Sequence, residues 1–106
     1  MKRLPPLPKA VWSQQGPIPV SVKSLHDEDA WGLFHMGDRR IALHKDASRD
    51  TQYATLFHEI TEVILWDSGL HNVLPAPLKE AVCDAVGTYF ASALAAGYLK
   101  LSTPKQ

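Results

Sequence analysis

With 106 residues, 45% of them hydrophobic, the chain has apolar material for one small core, so a single domain is expected. Eleven basic residues balance eleven acidic ones, which removes the electrostatic footprint of a nucleic-acid binder and gives no support for docking on an anionic membrane. No apolar run reaches bilayer length, and the start, Met1-Lys2-Arg3-Leu4-Pro5-Pro6-Leu7-Pro8, lacks the apolar stretch of a secretion signal, so a cytoplasmic protein is expected.

Prolines at 5, 6 and 8 and a lack of periodicity make residues 1–16 an extended arm able to lie against the domain. Ile18 to Val22 alternates apolar residues with Pro19 and Ser21, the pattern of an edge strand, where proline's missing donor is harmless. Residues 31–36 and 39–45 flank Gly37-Asp38, a pair suited to a two-residue hairpin turn with glycine first. The expectation is a small, mainly antiparallel, three-stranded sheet. His26, His35 and His44 read as surface or cross-strand residues of that sheet, and Trp12, Trp31 and Trp66 as core or core-edge aromatics. Trp66 faces away from the main apolar stripe and is also placed to line a cleft.

Ser48, Asp50 and Thr51 offer N-caps and Gly69 a C-cap for a helix over roughly residues 50–67. At about 100° per residue, Tyr53, Leu56, Phe57, Ile60, Val63 and Ile64 share its core face. His58 and Glu62 then lie together on the flank, while Glu59 points toward the opposite side. Pro77 suits the first turn of a second helix running to about Gly97, with Val82, Val86, Tyr89, Phe90, Ala93 and Leu94 as its core face. Beside that face runs a stripe of Glu80, Asp84, Gly87 and Ala91, whose small members let another helix approach closely. Cys83, the single cysteine, reads as a small core residue. The domain is expected over 17–99, with a short polar tail over 100–106.

The chemistry concentrates in His58-Glu59-Ile60-Thr61-Glu62. Helix positions i and i+4 face the same way, so the His58 imidazole and the Glu62 carboxylate can converge on one ion. A tetrahedral catalytic site needs a third protein ligand and an open fourth position. Glu80 is the leading candidate, with Asp84 one turn further and His71, just past the helix, as weaker alternatives. Glu59 is then the general base, taking the proton of a water as it attacks a polarised carbonyl. The dipole at the start of a helix gives Glu80 and Asp84 a second, purely structural reason to be acidic.

These residues resemble the ImmA/IrrE-like metallopeptidase domains, including the short versions of phage and prophage. The resemblance runs over about residues 18–96, through Arg40-Ile41-Ala42-Leu43, then Thr55-Leu56-Phe57-His58-Glu59-Ile60, then Lys79-Glu80-Ala81-Val82. It implies a zincin-like α+β domain, with His58 as ligand, Glu59 as base and Glu80 as third ligand, acting on a peptide or protein. Glu62 departs from the pattern, which has histidine there. A histidine with two carboxylates is a harder set, so zinc is the expected ion while manganese or iron(II) would also suit it. The two bound carboxylates weaken the ion's Lewis acidity and slow catalysis. A substrate peptide is expected along residues 39–45, taken as the edge strand. The competing expectation is a binding module of the same fold that has lost catalysis and holds a protein partner in the former cleft. A closed structural metal site ranks below both, because structural zinc favours cysteine and histidine.

Overall fold

The computed structural model describes residues 4–101. Its elements are β1 (Ala10–Ser13), β2 (Gly16–Lys23), β3 (Gly32–His35), β4 (Arg40–His44), α1 (Arg49–Asp67) and α2 (Ala76–Ala96). All the strands precede both long helices, an α+β arrangement. The sheet differs from expectation: it has four strands in the order β1-β2-β4-β3, and it is mixed, because β2 pairs with β4 in parallel.

The extra strand comes from the proline-rich arm. Ser13 Oγ donates to Gly16 O at 2.6 Å and accepts from Gln15 N at 3.2 Å, closing a tight turn that folds β1 back on β2. Val20 N donates to Lys9 O. Strand alternation therefore aims the donors of residues 16, 18 and 20 at β1, and positions 17 and 19 the other way. The ladder on that other side begins only at Val20↔Ile41, so Pro17 and Pro19 fall where no donor is required. Upstream, Leu4 and Leu7 pack on the core, and Tyr53 Oη donates to Pro6 O at 2.8 Å. The arm thus lies against the domain. Met1–Arg3 and all of the expected tail beyond residue 101 lie outside the described residues.

The β3–β4 connection is also longer than a two-residue turn. His35 pairs with Arg40, leaving Met36 to Arg39 as a four-residue loop in which Arg39, not Gly37, takes the left-handed conformation at φ 47°. Its guanidinium explains why: it donates twice to Asp67, at 3.0 and 2.9 Å, and once to Ser13 Oγ at 3.2 Å. This clasp joins the loop, β1 and the end of α1. With β2 on one side and β3 on the other, β4 is interior, so residues 39–45 are not the edge; β1 and β3 are.

Ser48 caps α1, its Oγ accepting from Thr51 N, and Gly69 follows the helix end at φ 81°. The core gathers Ile18, Ile41, Leu43, Tyr53, Leu56, Val63 and Leu94. Three expected core residues are exposed: Ile64 at 57%, Tyr89 at 67%, and Phe90. The reason is that α1 is covered on two faces rather than one. The row Gln52, Leu56, Glu59, Val63 is buried, Leu56 and Val63 in one core with Ile18, Ile41 and Leu43 of the sheet, while Thr61 and Leu65 are buried elsewhere on the helix. From α2 the buried residues are Cys83, Gly87 and Leu94: Leu94 joins the core as expected, and the closest approach to α1 is at Gly87 of the small-residue stripe. Trp12 and Trp31 are exposed, against expectation, and His44 is buried. Among the described residues no helix is long and apolar enough to cross a membrane.

Candidate metal centre

A helix covered on two faces leaves a crevice between its covers. Along α1 this crevice is a cavity of about 550 Å³, walled by Trp31 and Gly32 at the start of β3, by Thr55, His58 and Glu59 of α1, and by Glu80, Asp84 and Thr88 of α2. Gly32 brings the strand that close: a side chain there would collide with Thr55 Cγ2. None of the lining residues is Lys or Arg, so the acids face no fixed cation.

His58 is the pivot. Its Nδ1 lies 2.7 Å from Asp84 Oδ1. An ionised carboxylate only accepts, so this contact favours the neutral tautomer with its proton on Nδ1 and the Nε2 lone pair free. That lone pair lies 3.7 Å from Glu80 Oε2 and 3.8 Å from Glu59 Oε2. Ligand atoms about 2.0–2.2 Å from a tetrahedral ion sit roughly 3.3–3.6 Å apart, so Nε2 stands near ligand spacing from each of these two carboxylates. Asp84 would orient the histidine from behind, as outer carboxylates do at histidine metal sites.

Glu59 was expected to turn away; instead it is only 6% exposed. It continues the sheet-covered row of α1 at the point where that row meets the crevice. Burial pushes its pKa up to about 8, helped by the charge of Glu62, a carboxyl–carboxyl hydrogen bond with Glu62, and the charge of Glu80. Glu59 thus keeps its proton at neutral pH, in a hydrogen bond with Glu62. Cys83, buried beneath the same acids, is raised to about 11, chiefly by burial, and stays a thiol. That removes it as a thiolate ligand or nucleophile.

The expected ligands are therefore divided between two close groups sharing His58: His58, Glu80 and Asp84, and His58, Glu59 and Glu62. His71 joins neither. Its ring stacks on Trp66 at 3.6 Å between centroids, with Nδ1 unpartnered, in a separate cavity of about 150 Å³ bordered by Glu62, Glu80 and Cys83. Trp66 thus lines a cleft, though not the main one. Asp84's hold on His58 was not anticipated, although its spacing of four from Glu80 put both on one stripe. Trp31 and Gly32 had no sequence signal.

A third group, His26, His44 and Asp46, looks similar on residue types. His26 Nε2 and Asp46 Oδ2 are 3.0 Å apart. The backbone N–H of Leu25, however, donates to His44 Nδ1 at 3.3 Å. The neutral ring then carries its proton on Nε2 and has no lone pair left for an ion. Two usable donors make a weak site.

No family model, curated protein or solved structure matches the chain.

Proposed function

We propose that this chain is a metal-dependent, peptidase-like hydrolase of the ImmA/IrrE-like kind: a minimal, cytoplasmic, zincin-like domain of the short phage or prophage type. The observation that carries the reading is the single hydrogen bond from His58 Nδ1 to Asp84, which leaves Nε2 facing Glu59 and Glu80 in an open cavity. His58 and Glu80 would hold a dication, zinc first and manganese or iron(II) also, with Glu62 completing the set. A bound ion would polarise a carbonyl and acidify a water. Glu59 is the proton carrier. A bound cation would drive off the proton that Glu59 otherwise holds at neutral pH, leaving a carboxylate able to take the proton of a water and pass it on. Substrate would lie along β3, the edge strand whose first residue borders the cavity, where an extended peptide finds unpaired backbone groups.

The test is elemental analysis of purified protein and of His58→Ala, followed by proteolysis of an unfolded protein substrate by wild type and Glu59→Gln. About one equivalent of metal, lost in the first variant, and activity lost in the second, support the reading. Absence of metal after reconstitution with zinc, manganese and iron sinks it.

One observation favours a second reading, a partner-binding module without catalysis. Glu59 without a cation is neutral at pH 7, and a neutral carboxyl is no base. That reading predicts partner binding indifferent to chelators.

A further inference from the structure

We propose that Gly87 is a positioning residue: its lack of a side chain sets the separation of α1 and α2 at which Asp84 reaches His58. Gly87 lies buried in the interior of α2, where glycine is a poorer helix former than alanine, so local propensity does not account for it. Space does. A Cβ at this position would stand 2.6 Å from Ala54 O, 3.1 Å from His58 N and 3.4 Å from His58 Cα. All three are backbone atoms of α1, so no rotamer change relieves the contact; the helices themselves must part.

One turn earlier on α2, Asp84 bonds the imidazole of the same His58 at 2.7 Å. The backbone contact and the side-chain contact therefore lie on adjacent turns of one helix and converge on one residue of the other. Relieving the overlap takes roughly 1 Å of separation. A hydrogen bond lengthened by that amount is no longer one. Asp84 has one methylene and cannot follow the retreating helix, whereas a glutamate, one methylene longer, can. With Asp84 out of reach, the Nδ1 proton of His58 loses its fixed acceptor and the Nε2 lone pair its fixed direction. The consequence for metal affinity rests on the proposed metal centre; the consequence for the tautomer of His58 does not.

The experiment compares wild type, Gly87→Ala, Asp84→Glu and the double variant by two readouts. One is the nitrogen-15 NMR signature of the His58 ring in metal-free protein. The other is zinc affinity by chelator competition. Gly87→Ala is expected to lose the Nδ1–H signature and about ten- to a hundredfold in zinc affinity, the range for losing an outer carboxylate. Adding Asp84→Glu to it is expected to restore both, although Asp84→Glu alone, overlong for the native gap, weakens both. Should Gly87→Ala be marginally folded, all four proteins are measured in trimethylamine oxide, which favours the folded state. A folded Gly87→Ala with unchanged tautomer and affinity, or a double variant no better than the single, overturns the inference. If wild type binds no zinc, the metal reading falls while the ring signature still decides the role of Gly87.

Discussion

Two regions of this molecule each gather histidine and acid side chains, one around His58 and one around His44, and they differ in what faces Nδ1. At His58 the neighbour is an acceptor, Asp84, so the ring's free lone pair looks into the cavity. At His44 the neighbour is a donor, the Leu25 N–H, so the ring offers a proton instead. The same residue types within the same reach thus leave a lone pair facing a cavity in one place and make a structural hydrogen bond in the other. The difference teaches that a metal site is decided one contact behind its ligands.

The comparison breaks or holds first on deletion. His58→Ala should abolish stoichiometric metal binding, while His44→Ala should leave it intact and cost about 2–4 kcal/mol of stability by opening a buried site, as read by elemental analysis and urea unfolding. Metal lost on His44→Ala would erase the distinction. Next in size is Asp84→Ala, which should reduce zinc affinity about ten- to a hundredfold without removing the site. A control away from both histidines follows. Asp67→Ala leaves Arg39 unpaired and should cost about 3 kcal/mol of stability, with metal affinity unchanged.

The subtlest test is pH. In metal-free protein the Glu59 carboxyl titrates near 8 against an ordinary 4.5, so between these values the folded state holds a proton that the unfolded state has released. Stability should therefore fall as pH rises from about 4.5 to about 8 and level off above, by a few kcal/mol in all. Metal affinity should rise over the same window, because the cation must displace that proton. Glu59→Gln should flatten the stability slope; a slope that persists would assign the proton elsewhere.

Much of this was legible in the residues, and the exceptions share a cause. The helix ends were readable because caps act locally: Ser48 and Gly97 stand where chain chemistry places them. That Glu62 lies near His58 was readable because helix spacing is rigid, whereas the nearness of Glu80 depends on how α2 packs. Glu59's direction was not, since one apolar stripe cannot reveal that a helix is covered twice. Nor was the place of β4 in the sheet. Strand order depends on which partners close across distance, and the parallel pairing of β2 with β4 leaves no mark in either strand alone. The tight turn at Ser13 was equally hidden, because β1 spans only four residues.

The arm has a consequence that concerns the unfolded chain rather than the folded one. Pro5 and Pro6 offer only carbonyls, and Arg49 and Tyr53 take them. The same rings restrict the arm before it docks, so ordering it surrenders less conformational entropy than a glycine- or serine-rich lead would. Replacing Pro8 by alanine should loosen the arm by about 0.4–1 kcal/mol with the Pro5 and Pro6 contacts still in place. Fixed rings thus help residues 4–9 hold Leu4 and Leu7 over a core that the rest of a short chain leaves partly open.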